Sequence, residues 1–403
     1  MPISQKATPP HIPLELVLSI VESAASDVPN DERIDLLQSC SLVCRSWSTA
    51  SQKLLFARVT LRTQKSLQSF MSAVDRTTSH GQTLGDAVTH LRVVLDHNQP
   101  SGLHQHSFAS AVTVCPNLHE LDISLYGHAE PGKDVVGDLS RLRRSAPPFD
   151  EQTLALLKSG PNIKALHFNN WSENQHSIFQ LLSVWSSLEF LSIGGTLSQH
   201  LQGSPAPFPC KLHQVRFNFQ TSPTTDFVKW LLHNSASSLR VIRFDRDPSC
   251  DLFEHLTTIH GPNLHSISFP SYSSPELAFG LQKCEQLREL RTETPPSSSS
   301  LYRCIPDNLE HLAFGLDQHS PLASVIDLVK SRNTLKTITV QVWDGAHQHT
   351  LLTPLKIACA YHGVDLRMTN NLGLFRTTRV SLILLFFKFV FSSLFLLQRN
   401  ICL

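Results

Sequence analysis

The 403-residue sequence has little charge, and its positive and negative side chains almost cancel. Charged residues make up 17% of the chain, and 34 basic against 33 acidic side chains leave a net charge of +1. The lack of a basic excess argues against a nucleic-acid-binding protein. With 41% apolar residues, the chain is also too hydrophobic for a disordered protein and can build a sizeable core.

Cysteine pairs at metal-binding or redox spacing are also missing. The nine cysteines are odd in number and scattered and include no CxxC pair, which favours reduced thiols in an intracellular protein. Cys210 and His213 have the spacing of half a zinc site, but no second pair follows at finger spacing, so no metal site is expected. Residues 1–10 are expected to be disordered, and no signal peptide is expected after them.

Motifs of the common catalytic and nucleotide-binding sites are absent. The sequence contains no GxGxxG, Walker, GxSxG, HExxH or EF-hand pattern, and its acidic residues show no compelling acid/base pair. We therefore expect no catalytic residue and no cofactor. An enzyme whose site is assembled from distant, unrecognised residues stays open as an alternative.

Long hydrophobic runs are missing until the C-terminal tail, residues 376–403. Residues 380–397 form an apolar run of 18 residues with one charge, Lys388, near its centre. This length just reaches a membrane span, and Lys388 at mid-depth would cost about 3 kcal/mol. Three interpretations stay open: a membrane tail anchor, a terminal helix that packs on the domain, and non-coding sequence translated through an error in the gene model.

Residues 11–61 form the first organised segment of the chain. Pro13 suits the first turn of a helix, and the apolar residues around it recur at helical spacing. These apolar residues are Ile12, Leu16, Val17, Ile20 and Val21. A second helical pattern runs from Ile34 to Trp47. A module of this size makes only a small core, so it usually needs a partner surface or a flanking domain.

Two short motifs mark the same segment. Residues 12–15 read Ile-Pro-Leu-Glu, residues 43–47 read Val-Cys-Arg-Ser-Trp, and Phe56 follows nine residues after the second motif. In order and spacing these motifs resemble an F-box, although the polar stretch 27–35 is longer than is usual in that family. F-box modules dock onto the Skp adaptor of a cullin-type ubiquitin ligase, and the resemblance implies both as partners.

The resemblance also implies which side chains supply or support the adaptor-binding surface. They are Pro13, Leu14, Leu16, Ile20, Leu42, Val43 and Trp47. For Trp47, a place in the local helical core is the alternative interpretation.

The rest of the chain repeats the pattern apolar-x-x-apolar-x-apolar. Nine instances begin at Leu118, Ile163, Leu188, Leu212, Leu239, Leu264, Leu287, Leu309 and Leu335. After a first gap of 45 residues, their separations are 22 to 27 residues, and helical patterns lie between them. This period predicts an irregular leucine-rich-repeat solenoid of parallel strands and helices over residues 85–370. The first gap is expected to hide one further unit, disturbed by the polar insertion 127–150.

The predicted fold class is therefore α/β, with a small all-helical F-box followed by the solenoid; a doubly wound α/β domain is the alternative. In a solenoid the third and fifth pattern positions point outward from the strands. The fifth position carries Arg216, Arg243 and Arg291 within four consecutive repeats. Because guanidinium groups pair bidentately with carboxylates and phosphates, we predict that these residues bind an acidic or phosphorylated segment of a target protein. Ordinary solvated charge is the alternative.

These patterns together predict a non-catalytic substrate receptor of a Skp–cullin–F-box ubiquitin ligase, located in the cytoplasm or nucleus. Such a receptor acts by proximity, because it raises the concentration of a target beside a ubiquitin-carrying enzyme. The alternative is a leucine-rich-repeat scaffold, tethered to a membrane by residues 380–397, that has no ligase role.

Overall fold

A computed structural model describes residues 13–26, 30–129, 144–196, 206–271, 275–294 and 300–377. The chain divides into two compact units, Met1–Ser198 and Gln199–Leu403. Helices open the first unit, and alternating strands and helices follow in both units. This architecture confirms the predicted α/β class.

The first three helices are α1 (Leu14–Ser26), α2 (Asn30–Ser41) and α3 (Arg45–Phe56). The carbonyl oxygen of Pro13 accepts the amide hydrogens of Leu16 and Val17, at 3.1 and 3.2 Å, and this fixes the start of α1. Val17, Val21 and Ala25 are four residues apart and therefore lie on one face of α1, and this face is buried. The core of the three helices consists of Val17, Val21, Ala25, Leu37 and Ala50.

In the described residues of the first unit, the repeats contribute five parallel strands, one antiparallel pair and five α-helices. The parallel strands are β1 (Arg58–Leu61), β2 (His90–Asp96), β3 (Glu120–Tyr126), β6 (Ala165–Trp171) and β7 (Phe190–Gly195). The antiparallel pair is β4 (His128–Ala129) and β5 (Arg144–Ser145). The helices are α4 (Gln64–Ala73), α5 (Ser79–Ala87), α6 (Gln105–Thr113), α7 (Glu151–Ser159) and α8 (Ser177–Leu182).

The sheet begins earlier than the sequence pattern indicates. Strand β1 pairs in parallel with β2, with Val59 opposite Leu91, although residues 58–61 fall within the segment assigned above to the helical module. The end of the three-helix segment is therefore joined directly to the first repeat by backbone hydrogen bonds.

The insertion after β3 does not hide a further repeat. Strand β3 pairs directly with β6, with Leu121 opposite Leu166 and Ile123 opposite Phe168. The prediction of an additional unit in this gap is wrong, because β3 and β6 are direct neighbours in the sheet and no strand lies between them. Among the described residues of the insertion, 128–129 and 144–145 pair with each other.

The second unit contains seven strands and seven helices in its described residues. The strands are β8 (Gln214–Phe219), β9 (Val241–Phe244), β10 (Ser266–Phe269), β11 (Glu289–Thr292), β12 (His311–Leu316), β13 (Thr337–Val342) and β14 (Asp365–Thr369). The helices are α9 (Thr225–Leu232), α10 (Cys250–His260), α11 (Pro275–Gln282), α12 (Ser300–Cys304), α13 (Leu322–Ser331), α14 (Leu352–His362) and α15 (Leu372–Thr377). Each strand pairs in parallel with the next.

The repeat pattern is aligned across this sheet. Ile242, Ile267, Leu290, Leu312 and Ile338 all occupy the fourth pattern position and lie opposite one another on successive strands. The first, fourth and sixth positions are buried in both units, so one apolar row of each repeat packs on that of the next. This arrangement confirms the predicted strand–helix repeat with its apolar interior.

No helix within the described residues is both long and apolar enough to cross a bilayer. The apolar run 380–397, on which the tail-anchor prediction depends, lies outside those residues, as do residues 1–10.

A buried histidine in the second unit predicts a pH-dependent stability. Burial, with a smaller contribution from the nearby His255, lowers the pKa of His260, on α10, to about 4. Above pH 6.5 the side chain is neutral in both states, whereas between pH 6.5 and 4 only the unfolded chain takes up the proton. We expect His260 to remove about 2 kcal/mol of unfolding free energy between pH 7 and 5.

Urea titrations at pH 7, 6 and 5 measure this effect. The His260→Gln variant should lose less stability on acidification than the wild type does. His362→Gln changes an exposed histidine at the end of α14 and should keep the wild-type pH dependence. Equal pH dependence in the wild type and His260→Gln would contradict the prediction.

Candidate protein-interaction surfaces

The three N-terminal helices expose apolar side chains opposite their small core. Leu16 and Ile20, four residues apart on α1, are 56% and 52% exposed. Ile34 on α2 is also exposed, and Leu42 and Val43 in the turn between α2 and α3 are 86% and 64% exposed. Exposed apolar side chains concentrated on one small module are characteristic of a protein–protein contact. We call these five residues the helical-module surface.

The residues predicted to bind an adaptor fall into three groups. Leu16, Ile20, Leu42 and Val43 belong to the helical-module surface, and Pro13 is exposed at the start of α1. Trp47 is half-buried and packs against the core of the module, in agreement with the alternative interpretation. The side chain of Leu14 lies outside the described part of the chain.

Sequence reasoning did not assign Ile34 to this surface. Its neighbour one helical turn later, Leu37, is buried, whereas Ile34 is 48% exposed. The signal that could have indicated its exposure is an apolar residue in a short, mostly polar helix, because α2 buries few of its residues.

The strand surface of the first unit carries ion pairs between neighbouring repeats. Glu120 lies between two histidines: His90 Nδ1 is 3.2 Å from one carboxylate oxygen, and His167 Nε2 is 3.0 Å from the other. Burial by itself would raise the pKa of Glu120, but hydrogen bonds with His167 and His90 outweigh it and hold this pKa below its ordinary value. Arg92 and Asp122 form a longer pair at 3.5 Å. The fifth pattern position is half-buried here at Asp122, His167 and Ser192, as the repeat pattern predicts.

In the second unit, Arg216 is already paired within its own sheet. Its Nε lies 3.0 and 3.1 Å from the two carboxylate oxygens of Asp245, and its Nη2 donates to the second oxygen at 2.6 Å. Arg243, on the neighbouring strand, is half-buried. Both side chains reach the surface, but the charge of Arg216 is balanced by Asp245.

Arg291 is not on an open surface. The expectation that it projects outward to a target is wrong for this structure, because the side chain is 3% exposed. Its Nη2 donates to Glu289 Oε1 at 2.8 Å, and its Nη1 donates to the backbone carbonyl of Phe375. The arginines at this pattern position therefore do not form one continuous basic stripe.

The partner of Arg291 comes from the segment after the last strand. Residues 371–377 follow β14, include α15, and pack on β13 and β14; we call them the C-terminal segment. Phe375 of this segment is fully buried, with Arg291 Cζ 5.3 Å from its ring centre. Arg376 forms a two-point ion pair with Glu293, which directly follows β11. No sequence pattern indicated that this segment lies on the strands.

Metal-ligating side chains do not cluster in the described ranges. No group of three His, Cys, Asp or Glu residues there could hold a metal ion.

Comparisons with known proteins add little. No family model and no curated protein matches the chain. A solved structure, the "Crystal structure of Rad7 and Elc1 complex in yeast", aligns with 88% of this chain and 92% of its own. The two are 12% identical with a TM-score of 0.32, a likeness that carries no functional argument.

Proposed function

We propose that the protein is the substrate-recognition subunit of a Skp–cullin–F-box ubiquitin ligase. The helical module would bind the Skp-type adaptor, and the strand surface of the repeats would bind the target protein. No side chain of this chain need react, because the receptor acts by holding the target beside the ubiquitin-carrying enzyme.

The observation that carries the proposal is the helical-module surface. Its side chains stay exposed while Val17, Val21 and Ala25 of the same helix fill the core. In a module with so small a core, leaving Leu42 86% exposed is unfavourable unless a partner covers it. Four of these five residues, all except Ile34, belong to the set that the F-box resemblance implies for adaptor binding.

The target-binding half of the proposal rests on the strand surface. Arg216 and Arg243 stay the proposed contacts for an acidic target segment, since both reach the surface. Arg291 is not among these contacts, because Phe375 and Glu289 hold its guanidinium group.

Charged substitutions on the helical-module surface should abolish adaptor binding. We expect the full-length chain with Leu16→Asp and Leu42→Asp to retain at least tenfold less co-expressed Skp-type adaptor than the wild type does. A carboxylate buried at an apolar contact loses its hydration without gaining a partner. Quantitative co-purification through a tag on this chain measures the loss.

The matched control carries the same two changes elsewhere. Ile259→Asp and Ile357→Asp alter residues of α10 and α14 that are 45% and 64% exposed, and this variant should retain the adaptor fully. Equal adaptor binding by all three proteins, or none by the wild type, would overturn the proposal. The second result would favour a scaffold without a ligase role.

A further inference from the structure

The outward face of strands β10 to β13 is buried in this structure. The fifth pattern position faces away from the helices, yet Ser268, Arg291, Ala313 and Thr339 are all at most 8% exposed there. The same position is half-buried or exposed from β3 to β9. Some part of the protein therefore lies over the strand surface of the last repeats.

Among the described residues, the C-terminal segment contacts this surface at Arg291 and Glu293 and packs on β13 and β14. It enters from β14, where Gln341 Nε2 donates to the carbonyl of Asn370 at 3.3 Å. The side chains of Phe375 and Arg376 make the close contacts, whereas the side chain of Leu374, which also belongs to α15, is 59% exposed. The contact therefore depends on adjacent residues, Phe375 and Arg376.

Phe375 is held by Arg291 on β11. Its ring lies beneath the guanidinium group of Arg291 and its carbonyl oxygen accepts a hydrogen bond from Nη1 of the same side chain. A cation above an aromatic face is a favourable contact, and it is stronger where water is excluded. One buried arginine thus recognises both the ring and the backbone of the residue.

Arg376 is held by Glu293 in the geometry that only an arginine fits. Its Nε and Nη2 donate to the two oxygens of Glu293 at 2.7 and 2.6 Å. Glu293 is 7% exposed, and Asp245 adds a second negative charge nearby, so both acids raise the pKa of Arg376. A lysine cannot form this planar two-point pair.

We propose that this surface is a peptide-binding site for an aromatic residue followed directly by an arginine. In this structure residues 371–377 occupy the site in cis, and a target protein that carries an aromatic–arginine segment binds by displacing them. This inference rests on the part of the proposed function in which the strand surface binds a target protein, and it adds a basic segment of the target to the acidic segment proposed for Arg216 and Arg243. The ligand here is basic, because Glu289 already balances Arg291, and Glu293 is left to face a cation.

Occupation in cis predicts how the full-length chain behaves. A tethered segment has an effective concentration in the millimolar range, so a free peptide competes poorly with it. Removing its two anchoring side chains should open the site to a peptide supplied in trans. The probe is a fluorescein-labelled peptide with the sequence of residues 371–377, Asn-Leu-Gly-Leu-Phe-Arg-Thr.

Fluorescence anisotropy measures binding to the full-length chain. We expect the variant Phe375→Ala with Arg376→Ala, which we call the open variant, to bind the peptide at least tenfold more tightly than the wild type. Leu374→Ala, which changes an exposed residue of the same segment, should behave as the wild type. Adding Glu293→Arg to the open variant should remove binding, and a peptide with glutamate in place of its arginine should restore it. Equal binding to the wild type and the open variant would overturn the proposal.

A second measurement uses the wild-type protein and needs no folded variant. Trypsin cleavage after Arg376, followed by mass spectrometry, should accelerate as an unlabelled peptide of residues 371–376 is added, because the peptide releases this arginine from Glu293. This peptide ends at its arginine and therefore offers trypsin no bond to cleave. A peptide with alanines at both anchoring positions should not accelerate it, and equal cleavage with both peptides would contradict the inference. Adaptor co-purification reports on the helical module alone, so the two proposals can fail separately.

Discussion

Replacing Phe269 by alanine is expected to lower the unfolding free energy of the second unit by about 3–5 kcal/mol. Phe269 is fully buried at the sixth pattern position of β10. Its ring packs edge-on against Phe253 of α10, with the ring centres 5.9 Å apart. Removing the ring deletes the contact between strand and helix of one repeat and leaves a cavity that the neighbouring repeats can only partly close.

A phenylalanine ten residues further along provides the control. Phe279 on α11 is 64% exposed, so Phe279→Ala should change the unfolding free energy by no more than about 0.5 kcal/mol. Urea unfolding of the full-length chain, followed by far-UV circular dichroism, measures both variants. Equal losses would mean that the sixth position does not form the interior of the stack.

The repeats could be predicted because a single rule governs each of them. A short parallel strand must bury the fourth and sixth pattern positions against its own helix, and stacking repeats at near-constant spacing buries the first position as well. Leu290 and Leu312 lie opposite each other because each occupies the same place in its repeat. The spacing of apolar residues along the chain was therefore sufficient to predict the strand order, the register and the buried face of the repeats.

Structural features that interrupt the repeat pattern could not be predicted in this way. The gap before Ile163 has the length of an extra unit, yet β3 pairs directly with β6. An insertion of that length and a repeat of that length look alike in spacing, and only backbone pairing distinguishes them.

The candidate sites differ in the same respect. Leu16, Ile20, Leu42 and Val43 could be predicted because each lies in or beside a short motif, and all four are exposed. Arg291 could not, because its surroundings are set by residues 84 positions away in sequence. Periodicity placed Arg291 on the outward face, but it carried no information about which segment would cover that face.

Replacing Glu289 by alanine should be as damaging as the loss of Phe269, for an electrostatic reason. Glu289 Oε2 accepts from Ser266 Oγ at 2.8 Å, Oε1 accepts from Arg291, and His311 Nδ1 lies 3.3 Å from Oε1. Burial alone would raise the pKa of Glu289, but contacts with His311 and Arg291 outweigh it and hold this pKa below its ordinary value. The carboxylate is therefore ionised in the fold and balances a guanidinium group that is 3% exposed.

Without Glu289, the buried charge of Arg291 loses the carboxylate that forms its ion pair. Removing one partner of a buried ion pair costs about 3–5 kcal/mol, because the remaining charge has lost both water and its counter-ion.

The exposed pair of Asp365 and Arg367, at 2.7 Å, provides the control, and Asp365→Asn should cost no more than about 1 kcal/mol. Because the pKa of Glu289 is lowered in the fold, its contribution is present at neutral pH and declines progressively as the pH falls below about 4 toward that lowered pKa. Urea titrations at pH 7 and pH 3 should therefore show a large difference between the wild type and Glu289→Ala at pH 7 and a smaller one at pH 3. The same difference at both pH values would contradict an ionised, charge-balancing Glu289.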